Sequence, residues 1–466
     1  MDKKRNSFSG SIGFVLAAAG SAVGLGNIWR FPYLAAKGGG GLFLVIYLVL
    51  ALTFGYTLLT TEISIGRKIK KGPLSAYGEL NKKSYWIGIF ACLIPIMIMP
   101  YYCAIGGWVI KYFVGFLTGD GLNMAQDGYF TGFITSTGEP IIYTVIFLLI
   151  CTFIILRGVN NGIEAMSRIM MPILLLLVII IAFFSLTISY TDAEGVTRTG
   201  MEGLKIFIVP DFTGMTVQKF FSVLMDAMGQ LFYSLSVAMG IMVAYGSYVR
   251  DEDNLGKSIN QIEIFDTGIA VLAGIMIIPA VFAFQGREGM SASGPGLMFV
   301  SLPKVFAEMG AIGRFVGILF FAMVLFAAFT SAVSIMEAIV TSFMDQFHIK
   351  RATATITELG IALVVGVIVC LGYNKLYFEL PLPNGSVAQV LDVLDYVSNN
   401  CLMPIVAIST CILIGWILKP QTIIDEVEKN GETMGRKKLY CVMIKFIAPI
   451  LLLILLLKAL GIVTFI

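Results

Sequence analysis

Asn27 and Arg30 lie in the run GSAVGLGNIWRFP, residues 20–32, inside the first strongly apolar stretch of the chain, among Gly20, Gly24 and Gly26. Glycine costs about 1 kcal/mol relative to alanine in a helix interior, and an unpaired backbone group in hydrocarbon costs several more. Unwinding at such a place survives only where something else satisfies the freed groups. Backbone carbonyls can replace the hydration shell of a cation, and the positive amino-terminal end of a half-helix attracts a carboxylate. Close packing through small residues would account for Gly20 and Gly24 equally well, but not for Asn27 or Arg30. An arginine inside a span marks a functional position by default. A comparable polar, flexible break, GQLFYSLSVAMG at 229–240, follows five spans later. Breaks at corresponding positions of two halves point to inverted repeats with a binding site near the bilayer midplane.

The elements that must carry these residues are transmembrane helices. The 466 residues are 58% hydrophobic and 13% charged, with a mean hydropathy of +0.89, whereas soluble domains are about a quarter charged. A helix of roughly 20 residues crosses the hydrocarbon core. Eleven apolar stretches qualify, at 11–36, 41–66, 86–117, 141–157, 163–190, 218–249, 261–284, 311–346, 352–374, 386–418 and 436–464. Alternation of polar and apolar residues, the signature of a membrane barrel, is absent, so the expected class is an all-α integral membrane protein. It reads as one domain over 1–466: repeat one at about 11–190, repeat two at about 218–418, and an extra helix at 436–464. Linkers read as short except at 118–140, 190–217 and 419–438.

Basic residues at the start (Lys3, Lys4, Arg5), at 67–83 and at 436–438 contrast with 118–140, which has no Lys or Arg. The positive-inside rule then puts the amino terminus in the cytoplasm, and eleven crossings put the carboxyl terminus outside a plasma (inner) membrane. The start could imitate a signal peptide, but ten more crossings follow. The seven cysteines (Cys92, Cys103, Cys151, Cys370, Cys401, Cys411, Cys441) lie in apolar stretches without CxxC spacing and read as packing residues. With a single histidine, His348, neither a zinc cluster nor a Ser/His/Asp triad can be assembled, and there is no Walker loop. The sequence therefore points away from an enzyme or an ATP-driven pump. It gives no sign of an organic cofactor or a nucleic-acid partner.

The run GSAVGLGNIWRFPYLAAKGGGG at 20–41, together with EISIGR at 62–67, resembles the neurotransmitter:sodium symporter family, whose bacterial members move amino acids. Gly229–Gln230, AAFTS at 327–331, and Gly162 and Pro172 in the fifth span support the resemblance. It implies the leucine-transporter fold: two inverted five-helix repeats, spans 1–5 and 6–10, with spans 1 and 6 discontinuous. It further implies two sodium sites. One would use the Ala22 carbonyl, Asn27, Ser234 and Asp266 with the substrate carboxylate. The other would use the carbonyls of Gly20, Val23 and Ala327 with the hydroxyls of Thr330 and Ser331. By the same resemblance the substrate would lie among Ala22, Gly24, Gly26, Ile98, Tyr102, Tyr233, Ser234, Ser236, Met239, Ser334 and Ile335, with Tyr102 donating to its carboxylate.

Relatives that carry amines place an aspartate at position 24. Gly24 instead leaves room for a carboxylate and favours an amino acid, and the mostly apolar walls favour a hydrophobic or aromatic one. Animal members of the family tend to be uncharged around this part of span 7 and to require chloride, so the resemblance implies that Asp266 supplies a fixed negative charge and makes the chain chloride-independent. The resemblance also pairs Arg30 with Asp395 as an outer gate and Arg5 with Asp345, near Tyr248, as an inner one, and has Glu62 bond to the unwound segments. Phe8 stands where the family usually has tryptophan, which removes an indole N–H from the inner gate. The expectation is a sodium-driven amino-acid symporter working by alternating access in a lipid bilayer, its oligomeric state open. An amino-acid sensor of the same fold, a proton-coupled transporter and a channel are the alternatives.

Overall fold

The computed structural model describes residues 7–192, 194–290 and 292–463. Among them, nine helices are long and apolar enough to cross a membrane, and a bent pair reaches that length and apolarity when taken as one. We label the principal helices in chain order. The bent pair is α1 (Ser11–Ala22) and α2 (Leu25–Lys37), which meet at 52°. Then come α3 (Gly41–Ile69), α4 (Lys82–Thr118), α5 (Glu139–Leu156) and α6 (Val159–Thr187). The stretch expected to cross at 218–249 is split into α7 (Val217–Ser234) and α8 (Ile241–Gly246). The series closes with α9 (Leu255–Gly289), α10 (Ala311–Phe347), α11 (Arg351–Leu371), α12 (Val390–Ile417) and α13 (Lys437–Ala459).

Long runs of Leu, Ile, Val and Phe without an internal polar face make these segments helical and apolar all round, as burial among other helices and lipid requires. Their burial sorts them. In α4 and α10 72% of the apolar stretch is enclosed, against 28% in α13, so the first two form the centre and the last an edge. α10 packs along α4, and α1 wedges between α9 and α10. Several helices contain π-turns, at Ala51–Gly55, Val159–Glu164, Tyr396–Leu402, Leu413–Ile417 and Met443–Ile447. The first is a widened turn without a break: Leu50, ahead of it, and Tyr56, after it, both keep helical angles.

Two expected linkers are ordered. The 118–140 stretch holds a helix at Tyr129–Thr135, and 190–217 holds a hairpin (Ser189–Thr191 with Thr197–Thr199) and a helix at Gly200–Ile208. The connection between α9 and α10, expected to be short, is instead a helical cap ending in Leu302–Glu308. It buries Leu297, Phe299, Leu302 and Phe306. Phe299 lies 5.0 Å from the Tyr112 ring of α4, and the Tyr112 hydroxyl donates to the Phe299 carbonyl at 2.8 Å.

Candidate functional site

Each half of the site begins at a helix end. α1 stops where Val23 leaves helical angles (φ −78°, ψ 87°), and Gly24 precedes α2 in an extended conformation with no side chain capping the new helix. The unpaired end groups thus face inward. Gly24 is required by space: a Cβ there would sit 2.9 Å from Ser331 Oγ and 3.5 Å from the Tyr102 hydroxyl. α7 ends at Ser234, and the chain passes through positive φ at Ser236, Ala238 and Gly240 before α8 begins. Two of these are not glycine, and left-handed backbone at such residues is kept only when neighbours hold it. The neighbours are identifiable. Glu62 Oε1 accepts the Ala238 N–H at 2.6 Å, and Ser236 Oγ donates to the Ser21 carbonyl at 3.0 Å. The break is therefore 235–240, shorter than the expected 229–240, because 229–234 continues α7.

A small cavity lies between the two breaks. Ala22, Gly24, Gly26, Ile98, Tyr102, Tyr233, Ser234, Ser236, Met239 and Ile335 line it, with Ser21, Leu25, Asn27 and Ser331. Ser334 is not on its wall. Its hydroxyl donates to the Thr330 carbonyl at 2.7 Å and receives the Tyr245 hydroxyl at 2.7 Å, which turns it into the packing of α10 against α8. The Tyr102 hydroxyl is buried without a hydrogen-bond partner, beside Ser331 and Leu25.

At one end of the cavity Asn27, Ser234 and Asp266 converge. Asn27 Nδ2 donates to Asp266 Oδ1 at 2.9 Å, and Ser234 Oγ lies 2.7 Å from that oxygen and 2.9 Å from Asn27 Oδ1. Asp266 is fully buried in α9, well inside the helix rather than at its boundary, and its Oδ2 has no partner. These are hard oxygen donors around one uncommitted carboxylate oxygen, the chemistry an alkali cation takes. Gln230 adds a bond from Nε2 to the Gly26 carbonyl at 3.1 Å, and the buried Tyr47 hydroxyl lies beside the cluster.

The second set is assembled around the end of α1. A Cβ on Gly20 would stand 3.2 Å from Thr330 Cβ. Ser331 Oγ donates to the Ser21 carbonyl at 3.2 Å, and Val23 is the fully buried residue at the break. Thr330 Oγ1 donates to the carbonyls of Phe326 and Ala327 of its own helix, at 3.0 and 3.1 Å. Gly20, Thr330 and Ser331 are thus neighbours at the end of α1, and the Ala327 carbonyl accepts the Thr330 hydroxyl.

The gate residues are disposed differently. Arg30 and Asp395 are close enough to interact electrostatically, but no ion pair joins them. Asp395 Oδ1 instead accepts the Tyr101 hydroxyl at 3.0 Å and Asn399 Nδ2 at 2.6 Å. At the opposite end Arg5 lies outside the described residues, and Asp345 Oδ2 accepts the Gly72 N–H at 2.5 Å. Tyr248 donates to Glu337 at 2.7 Å, within a network that includes Thr341 and the Arg351–Glu337 ion pair at 2.7 Å. Phe8 is fully buried against Phe14, Tyr245 and Tyr248, with ring centroids 5.6 to 6.3 Å apart.

Ser21, Tyr47, Tyr101, Glu337 and Asn399 join the site without having been assigned a role in the sequence, and Gln230, noted there only beside Gly229 as part of the resemblance, joins it too. Gln230 beside Gly229 and Glu337 in an apolar span carried a usable signal, since a buried polar residue in a span is expensive. The tyrosines carried none.

A family model described as "Sodium:neurotransmitter symporter family" matches residues 5–126 and 122–465. The chain belongs to this family. Among its relatives, the uncharacterized sodium-dependent transporter YhdH of Bacillus subtilis (strain 168) is 33% identical, with 100% of both chains covered. The human sodium- and chloride-dependent taurine transporter is 26% identical, over 91% of this chain and 73% of its own length. The crystal structure of MhsT in complex with L-phenylalanine superposes with a TM-score of 0.84 at 33% identity, covering 98% of this chain and 100% of that one. This symporter-family chain is accordingly a sodium-dependent, multi-pass membrane protein.

Proposed function

We propose that the protein carries a hydrophobic or aromatic amino acid into the cell together with sodium, by alternating access and without a chloride requirement. One observation carries the reading. Where the two breaks meet, a cavity holds the unpartnered Tyr102 hydroxyl and the bare end of α2 on one side, and the unpartnered Asp266 Oδ2 beside Asn27 and Ser234 on the other. A zwitterion brings a carboxylate to the first and completes a cation's shell at the second. Ala22, Asn27, Ser234 and Asp266 would hold one sodium ion. Gly20, Val23, Ala327, Thr330 and Ser331 would hold the other. Ile98, Tyr233, Met239 and Ile335 would receive an apolar side chain, and MhsT, the structural relative, was crystallised with L-phenylalanine.

The reading includes eleven crossings, α7 and α8 together forming the sixth, arranged as inverted repeats with the last helix outside them. The amino terminus would be cytoplasmic and the carboxyl terminus on the far side of the plasma membrane. Arg30 with Asp395, and Arg5 with Asp345 and Tyr248, would close the two ends in turn. Glu62 would hold the second break open for the substrate.

Uptake into proteoliposomes separates this from its rivals. An inward sodium gradient should drive accumulation of radiolabelled phenylalanine, leucine or tryptophan, undiminished when chloride is replaced by gluconate. Binding without accumulation would indicate a sensor. Accumulation driven by a pH gradient alone would indicate proton coupling. Either result would overturn the sodium-driven reading.

A further inference from the structure

At the end of the bundle opposite Phe8, a second and larger cavity opens between the last turn of α2, the Gly200–Ile208 helix and the end of α9. It is open to solvent. Three cations stand on its wall, one from each element: Lys37, Lys205 and Arg287. Other cations toward this end are matched with carboxylates: Lys111 with Glu139 at 3.3 Å, Arg198 with Asp192 at 2.9 Å, Lys304 with Asp127 at 2.5 Å and Lys458 with Asp226 at 3.3 Å. Among the described residues, Lys37, Lys205 and Arg287 have no carboxylate within ion-pair distance. The two acids on the wall each accept a nearby backbone N–H and keep their charge. Glu202 Oε2 accepts the Thr199 N–H at 2.8 Å in a capping box, and Asp211 Oδ1 accepts the Thr213 N–H at 2.9 Å. The wall thus presents three cations from separate elements and two carboxylates, with no ion pair between them, although Asp211 feels the charge of Arg287.

The rest of the wall is apolar, with Tyr33, Ile206, Val209 and Phe282. Exposed Ile208, Val209 and Phe212, each 48 to 64% accessible, continue it along the flank of the bundle. Unpaired cations beside an apolar flank match the two parts of a lipid: a phosphodiester for the charges and acyl chain for the side.

We propose that this cavity binds a phosphate group, that of an anionic phospholipid headgroup, between Lys37, Lys205 and Arg287. The bound headgroup spans α2 and α9 and so fixes the outer half of the broken first helix relative to its neighbour.

The test needs neither sodium nor amino acid, so its failure leaves the transport reading untouched. The full chain is placed in nanodiscs of phosphatidylglycerol or of phosphatidylcholine, which leave both faces open, and treated with an amine-acetylating reagent. Modification of each lysine is read by mass spectrometry. Lys219, exposed near the same end, reports the general effect of the charged surface. Relative to Lys219, Lys37 and Lys205 should react about five- to tenfold more slowly in phosphatidylglycerol than in phosphatidylcholine, and Arg287→Gln should release most of that protection. Inorganic phosphate added to the phosphatidylcholine discs distinguishes the source. Protection by it at millimolar concentration would keep the phosphate site but overturn the lipid as its occupant. Equal rates in all three conditions, or protection unaltered by Arg287→Gln, would overturn the site itself.

Discussion

Asp266 has divided its two oxygens: Oδ1 accepts from Asn27 and Ser234, while Oδ2 accepts from nothing. Asp266→Asn keeps the shape and removes the charge. It should raise the sodium concentration for half-maximal uptake at least about tenfold, a difference of about 1.4 kcal/mol; an unchanged sodium titration would remove Asp266 from the cation site. Gly24 tests the other side of the cavity. A methyl group there meets Ser331 Oγ at 2.9 Å, so Gly24→Ala should weaken substrate binding about tenfold or more, and Ser331→Ala on top of it should recover part of the loss. Binding of a radiolabelled amino acid to the purified protein reads both. At this scale the sequence was informative where a residue was chemically out of place, as Asn27, Arg30 and Glu62 are in apolar spans. It was silent about Tyr47 and Tyr101, because a tyrosine in a membrane helix is ordinary until its partner, hundreds of positions away, is known. Ser334 shows the converse. Its type suited the pocket, but its hydroxyl is taken by Thr330 and Tyr245.

At the scale of elements, the breaks were legible because glycines cluster at them, whereas the boundaries were not. Ser236 and Ala238 take left-handed angles that their types do not announce, held by partners on α1 and α3. Removing the holder should be felt at the break. Glu62→Ala leaves the Ala238 N–H buried without an acceptor and should lower stability by about 1–3 kcal/mol. Thermal unfolding in detergent reads this, and a melting point unmoved by the change would show that the break stands without α3. The Arg351–Glu337 pair gives a stricter comparison, since Glu337 is fully buried. Glu337→Ala alone should destabilise by about 3–5 kcal/mol, while replacing both residues by leucine should recover most of it. A double variant as unstable as the single one would mean the surrounding network, including Tyr248 and Thr341, needs the charge itself. The cap between α9 and α10 escaped the sequence for a different reason: its apolar runs are too short to register as spans, although they bury Phe299 and Phe306.

Over the whole molecule, the central α4–α10 pair and the peripheral α13 follow from how much of each helix is enclosed, a property of arrangement that no single span encodes. The Phe8 ring packs on Phe14, Tyr245 and Tyr248 without the indole N–H that tryptophan would offer, and its backbone bonds to Tyr248 and Arg250. Phe8→Ala should therefore raise amide hydrogen exchange through α8 and the 235–240 segment by an order of magnitude or so, with exchange in α4 unchanged. Protection that stays the same would assign the order of these segments to other contacts. The Ser21 carbonyl receives hydroxyls from both Ser236 and Ser331, which stitches the end of α1 to the second break and to α10 at one atom. Grafting the first broken helix of a distant homologue into this protein would cut that stitch unless the matching stretch of the second were transplanted with it; the two must be inherited as a pair.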